Sequence, residues 1–257
     1  MTPLEVIGAL VIGAALGLLG GGGSILIVPV FVYAAHLDPK VAVAASLPVV
    51  AITSASAALM HWRQGNVQVR TALIYGATAA IGSFAGARLG TMISGATQLI
   101  LLAVVMLAAA YRMAFGTNPQ REAAAEGAPI AFATLLPVAL LVGILTGIVG
   151  VGGGFLIVPT LVIICYLPMR EAVGTSLMVI AMNATSGTAG YAGQIPVPWN
   201  IVLIFSAVAV VGSLLASRFS ARLPQTALRK GFGVLLVGLS ILILVQNRNV
   251  FAGWLSS

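Results

Sequence analysis

The chain has 257 residues, 60% of them hydrophobic and only 7% charged, where an average soluble domain carries about 25% charged residues. Too few charges are present to cover a water-facing surface, so the outside of the molecule must face lipid, and the soluble classes are excluded. A bilayer admits only helices and closed barrels; barrels alternate polar and apolar residues, whereas the apolar runs here are continuous, which predicts an all-α integral membrane protein. The formal charge of +7 comes from twelve basic and five acidic residues. Apart from the Arg229-Lys230 pair the basic residues stand singly between apolar runs, as topology-setting loop charge does, rather than in a patch that would bind nucleic acid. Cys165 has no second cysteine to pair with.

In chain order, the amino terminus lacks the basic segment of a cleavable signal and is expected to stay in the mature protein. An apolar run, Leu4–Leu19, leads into Gly20-Gly21-Gly22-Gly23 and then a shorter run, Ile25–Ala35. Three longer segments follow, Val41–Met60, Thr71–Ile93 and Gln98–Phe115, near the roughly 20 residues a membrane helix needs. Gly116–Ala128, with Asn118-Pro119 and mixed charges, is the hydrophilic linker. The same parts then recur as Ile130–Val149, a glycine cluster, Phe155–Leu167, Ala172–Tyr191, Ile201–Phe219 and Thr226–Gln246.

The recurrence is a duplication. Gly17-Leu-Leu-Gly-Gly-Gly-Gly-Ser-Ile-Leu-Ile-Val-Pro29 aligns without a gap on Gly147-Ile-Val-Gly-Val-Gly-Gly-Gly-Phe-Leu-Ile-Val-Pro159, an offset of 130. The same offset pairs Ser46-Leu47 with Ser176-Leu177, Ser56 with Ser186, Gln64 with Gln194, Gly82-Ser83 with Gly212-Ser213, and Arg88 with Arg218. The expected division is repeat 1 over 1–115, a linker over 116–129, repeat 2 over 130–248 and a tail over 249–257. The run after each glycine cluster is too short to span, since eleven residues reach only ~17 Å, and Pro29 and Pro159 lack the N–H of a continuous helix. Each opening unit therefore reads as a broken hairpin that returns to its starting side. Arg63, Arg70, Arg112, Arg121, Arg170, Arg218, Arg222, Arg229 and Lys230 then share one face, expected to be cytoplasmic with the linker, leaving Lys40, Arg88 and Arg248 opposite. With a hairpin and three spans in each half, the two repeats are inverted, about 8 membrane segments in all, a recurrent transporter architecture with its site at the midplane.

A helix restarting after a glycine break presents unpaired N–H groups and the positive end of its dipole, an anion site without a charged side chain. Small-residue helix packing is the competing use of such glycines. No Walker-type Lys-Ser/Thr follows, which excludes a nucleotide P-loop. Glu5, Asp38, Glu122, Glu126 and Glu171 all lie at segment ends or in the linker; a cation carrier usually places a carboxylate mid-membrane. The candidate substrate-binding residues are Gly21, Gly22, Gly23, Ser24, Ser46 and Thr53 in the first half. Gly152, Gly153, Gly154, Thr175, Ser176 and Asn183 are the candidates in the second. Arg88, Arg218 and His61 are candidates for attracting the anion, although arginines at such depths also snorkel to the interface and a histidine at a segment end also sits there. No catalytic constellation, metal cluster or cofactor motif is evident.

Taken together, these residues resemble the sulfite exporter TauE/SafE family. The resemblance is carried by the glycine breaks running into Ile-Leu-Ile-Val-Pro29 and Phe-Leu-Ile-Val-Pro159, by Val173-Gly174-Thr175-Ser176-Leu177, by Gly65-Asn66 and by Gly86-Ala87-Arg88. The second half shows Ile195-Pro196 and Ser217-Arg218 at the equivalents of the last two. The resemblance implies a permease for sulfite or organosulfonates such as sulfoacetate. The expected partners are thus a small anion of that class and the lipid bilayer, with no nucleic acid. A passive anion channel and a non-transporting assembly protein are the alternatives. The glycine-rich face Gly82–Gly90 could pack against a second subunit as a homodimer.

Overall fold

In a computed structural model of the protein, residues 3–19, 23–115, 132–150 and 152–220 are described, together with Val234, Val237, Gly238, Ser240, Ile241 and Val245. These residues form helices α1 (Pro3–Leu19), α2 (Ser24–Tyr33), α3 (Pro39–Arg63), α4 (Val69–Gly90), α5 (Gly95–Phe115), α6 (Phe132–Val149), α7 (Gly154–Ile163), α8 (Met169–Tyr191) and α9 (Trp199–Ser220). The isolated residues beyond 233 are helical as well, within the run Thr226–Gln246. The linker 116–129 and the tail 249–257 lie outside the described residues.

Among the described residues, three helices, α3, α4 and α9, are long and apolar enough to cross a bilayer; α1, α2, α5 and α6 contribute shorter apolar stretches. The protein is thus a multi-pass helical membrane protein, with Ile7, Val11, Ile81, Leu203 and Val211 among the large apolar side chains it presents outward. Helix α8 is 23 residues long but rich in Gly, Ser, Thr and Asn. It packs chiefly against α3 and α4, so much of its surface meets protein and need not match lipid.

The opening unit folds back on itself. Gly23 lies against the backbone of Ile12 and Leu16, and Val30 lies beside Gly8, so α2 runs back along α1. At ten residues it covers ~15 Å, half of a ~30 Å hydrocarbon core. Pro29 and Pro159 sit inside α2 and α7; the breaks fall at the glycines before them. Both short helices end alike. His36 (φ 52°) and Tyr166 (φ 55°) are left-handed, a conformation costing a non-glycine residue roughly 1–2 kcal/mol. Leu37 N–H then donates to Phe31 O at 2.9 Å and Leu167 N–H to Leu161 O at 3.2 Å, each giving a partner to a carbonyl near the helix end. Asp38 caps α3 by accepting from Lys40 N–H at 2.9 Å, with Pro39 as the first helical residue.

Between halves, α1 packs most extensively on α9, and α4 on α6 and α8. The contacts are made by small residues. A Cβ on Gly13 or Gly17 would overlap the carbonyls of Ala209 or Ser213, and one on Gly143 or Gly147 those of Ala79 or Ser83. These two sets are related by the 130-residue offset. Gly82, Gly86 and Gly90 face Leu140, Ile144 and Ile148 in the same way. The face that could have received a second subunit is occupied by α6 of the same chain. Small residues serve here as in other membrane bundles, by letting backbones approach.

Helices α3 and α8 run antiparallel: Gly174 lies against Asn66 and His61, while Gly187 lies against Leu47. The turn 64–68 covers the start of α8, where Gln68 N–H donates to Thr175 Oγ1 at 2.9 Å and Gln68 Nε2 to Glu171 Oε2 at 2.9 Å. Gln64 Nε2 donates to Ser217 O at 3.3 Å. Arg63, Arg70, Arg170 and Arg218 therefore gather at one end of the bundle. Gly95 lies against Pro39 and Lys40, which puts Lys40 and Arg88 at the other. Gly65 (φ 76°) and Gly193 (φ 74°) turn the chain after α3 and α8. Helix α8 stops two residues earlier relative to the offset, so Gly193 does what Gly65 does, and the residues at 195 and 196 need not copy Gly65-Asn66.

Candidate functional site

The second glycine break reaches the middle of the bundle. Gly150, Gly152 and Gly153 have φ of 74°, 69° and 86°, a region open to glycine at little cost. A Cβ on Gly152 would press on both Val50 and Ile180, which lie near the midpoints of α3 and α8. Broken helices at this depth are tolerated only when buried in protein or lining a cavity, and the chain meets that condition by enclosing the break between its two central helices.

Buried side chains take up the carbonyls that the break exposes. Asn183 Nδ2 donates to Gly152 O at 3.1 Å and to Thr146 Oγ1 at 2.8 Å, and Thr146 donates in turn to Gly143 O at 3.0 Å. Ser46 shares its hydroxyl proton between Val43 O at 2.8 Å and Gly150 O. The last turn of each broken helix is held similarly. His61 is 2% exposed, and its Nε2 lies 3.0 Å from Gly17 O; a carbonyl only accepts, so this nitrogen carries the proton. Ser217 Oγ also donates to Gly17 O, at 3.4 Å. At His61 plus 130, Tyr191 donates to Ile148 O at 3.1 Å. Gln98 Nε2 approaches Ile148 O at 2.8 Å, Gly90 O at 3.0 Å and Tyr191 Oη at 3.0 Å.

Several buried polar atoms lack a hydrogen-bond partner among the described residues, Gln98 Oε1 and His61 Nδ1 of these networks among them, and two of them sit on residues related by the offset. Asn183 Oδ1 and Thr53 Oγ1, on residues that are equivalent under the offset, are fully buried and find no hydrogen-bond partner among the described residues. Reversing the Asn183 amide would set two acceptors against each other at Gly152 O, so the network fixes its orientation. Gly23 before α2 and Gly153 before α7 have no side chain with which to cap the helices they precede. No carboxylate, lysine or arginine is buried among the described residues, nor do His, Cys, Asp and Glu group there into a metal cluster.

The sequence candidates are distributed unevenly around this centre. Gly152, Gly153, Gly154, Asn183 and Ser46 come together at the second break; Gly23 and Ser24 are buried at the start of α2, and Gly21 and Gly22 lie outside the described residues. Thr53 is buried on α3. Ser176 donates to Val173 O at 2.8 Å within its own helix, and Thr175 is engaged by the turn at Gln68. Arg88 and Arg218 are exposed; Arg88 lies over the Phe84 ring, 5.5 Å from its centroid. Thr146, Tyr191 and Gln98 are not singled out by sequence, and Gly150 only as part of the glycine cluster. Thr146 had a signal, a lone hydroxyl one turn before a glycine cluster. Gln98 had none beyond being an amide at a segment start.

A family model described as sulfite exporter TauE/SafE matches residues 6–243. The chain belongs to the sulfite exporter TauE/SafE family. Similar proteins include a probable membrane transporter protein of Xylella fastidiosa (strain 9a5c), 33% identical over 243 residues that cover 92% of each chain. Another is the probable membrane transporter protein YdhB of Bacillus subtilis (strain 168), 27% identical over 225 residues, 85% of this chain and 90% of the relative. A third, MJ0441 of Methanocaldococcus jannaschii, is 27% identical over 246 residues, 89% and 90%. No solved structure matches. As a TauE/SafE member of this architecture, the chain is a membrane transporter and not an enzyme.

Proposed function

We propose that the protein is a permease for small sulfur oxyanions, sulfite or organosulfonates, which it moves by alternating access between two inverted repeats, 1–115 and 130–248. The observation that carries this reading is the glycine break at Gly152, set between the midpoints of α3 and α8 and opening directly into an uncapped helix. Backbone amides near Gly22–Ser24 and Gly152–Gly154 hold the anion, with Thr53 and Asn183 beside them. The absence of buried carboxylates among the described residues favours an anion over a cation, and the family's description as sulfite exporters favours sulfur oxyanions.

The antiparallel course of α3 and α8 and the paired contacts of α1 with α9 and α4 with α6 support inversion about an axis in the membrane plane. Rocking one half against the other would open the centre to each side in turn. The end bearing Arg63, Arg70, Arg170 and Arg218 is the cytoplasmic one under the positive-inside rule.

Thermal unfolding of the purified protein in detergent, with sulfite, sulfate, sulfoacetate, taurine, acetate and a cation series, tests the reading. Ligand bound only by the folded state raises the melting point with occupancy. Selective stabilisation by a sulfur oxyanion or sulfonate is expected, and its loss in Gly153→Leu, which fills the break. Stabilisation by cations alone contradicts the proposal, as does unchanged anion response in the Gly153 variant.

A further inference from the structure

We infer that the site selects a singly charged sulfur oxyanion that still carries a hydrogen to donate, of the hydrogensulfite type, and that Asn183 Oδ1 is the atom that reads this hydrogen. The inference rests on the anion reading above and narrows it. Its starting point is an asymmetry in the Asn183 amide. The donor half is spent on Gly152 O and Thr146 Oγ1, so the residue has nothing left to give a bare anion. Its acceptor half, fully buried at the entry to α7, is without a partner among the described residues. A buried acceptor stays paired in most proteins, and leaving it unpaired is costly. A ligand donor is what this one lacks.

The charge balance points the same way. Each helix start is equivalent to roughly half a positive charge, and α2 and α7 restart at matched positions after the two breaks. Together they offset about one negative charge. No Lys or Arg is buried among the described residues to offset a second, so a dianion would leave its hydration shell without compensation. Sulfite itself passes from monoanion to dianion near neutral pH, and only the monoanion carries the hydrogen.

The test is dissociation constants for sulfamate and methanesulfonate on the purified full-length protein, with sulfite titrated across its last ionisation. Sulfamate and methanesulfonate share charge and shape and differ by an amino group in place of a methyl. The unpaired-acceptor cost of about 1–3 kcal/mol corresponds to sulfamate binding roughly 5- to 150-fold more tightly. Sulfite should weaken about tenfold per pH unit above its ionisation, following the monoanion fraction, while the sulfonate-type pair keeps one charge throughout and reports any change in the protein. In Asn183→Leu the ratio of the two dissociation constants should collapse to near unity, whatever the absolute affinities; Asn183→Ser, which keeps a hydroxyl at this position, is the second variant should the first not fold. Equal binding of the pair in the wild type overturns the inference and leaves the anion site standing. A preference that survives both variants overturns the role of Asn183, and absence of binding by any of these anions overturns the anion reading itself.

Discussion

At the residue scale, the break is held by side chains that give backbone carbonyls the donors the helix no longer supplies. Transmembrane hydrogen bonds between side chains average only ~0.6 kcal/mol, so most polar pairs in such a bundle are individually dispensable. Gln98 differs because it serves Ile148 O and Gly90 O at once and touches Tyr191. Gln98→Leu should therefore cost about 1 kcal/mol, the net worth of lost hydrogen bonds, since Ile148 O keeps Tyr191 and Gly90 O keeps Ile93 N–H, measured as lowered thermal stability in detergent. Ser46→Ala should cost about 1 kcal/mol by the same assay, since it removes one donor shared between two carbonyls. The candidate site was legible in sequence where chemistry and position coincide: glycine runs and Asn183 stand out in an apolar chain. What an amide does with each of its two ends depends on which carbonyl lies beside it. That information belongs to packing, which is why Ser46, Ser176 and Asn183 read alike as donors although their protons are already engaged with protein.

At the element scale, the glycines of α1 have different jobs only a turn apart. A Cβ on Gly8 would sit at ordinary contact distance from Val30, 3.5 Å, whereas one on Gly13 would collide with the Ala209 backbone. Gly8→Ala should leave the melting point unchanged or raise it slightly, because alanine favours helix by roughly 0.5–1 kcal/mol. Gly13→Ala should lower it, and Gly143→Ala, its equivalent in α6, should lower it comparably. Near-equal effects of Gly8→Ala and Gly13→Ala would contradict the packing described. The helices themselves were largely legible: apolar runs located α3, α4, α5 and α9 to within a few residues, and the shortness of the run after each break implied a returning hairpin. Pro29 and Pro159 were weaker guides. Both are accommodated inside ten-residue helices, and in the second unit it is Gly150, Gly152 and Gly153 that turn the chain. The partner of the Gly82–Gly90 face was illegible because small-residue faces look the same whether they meet a neighbouring helix or another molecule.

At the scale of the whole molecule, the duplication visible as a 130-residue offset reappears as contacts: Gly13 on Ala209 is matched by Gly143 on Ala79, and Gly17 on Ser213 by Gly147 on Ser83. Inversion predicts that the turns after α3 and α8 face opposite sides of the membrane. Cysteines at Gln64 and Gln194, in a Cys165→Ser background, should be labelled by an impermeant maleimide from opposite faces; labelling of both from one face would contradict the inverted arrangement. The central claim is that a mid-depth anion site is exposed to each side in turn, and sulfite counterflow in proteoliposomes tests it most directly. Saturable uptake of labelled sulfite, accelerated by unlabelled sulfite inside and absent without protein, is the predicted result. Uptake without saturation or counterflow would mean a passive pore, and no uptake above protein-free vesicles would contradict the assignment of sulfite as substrate.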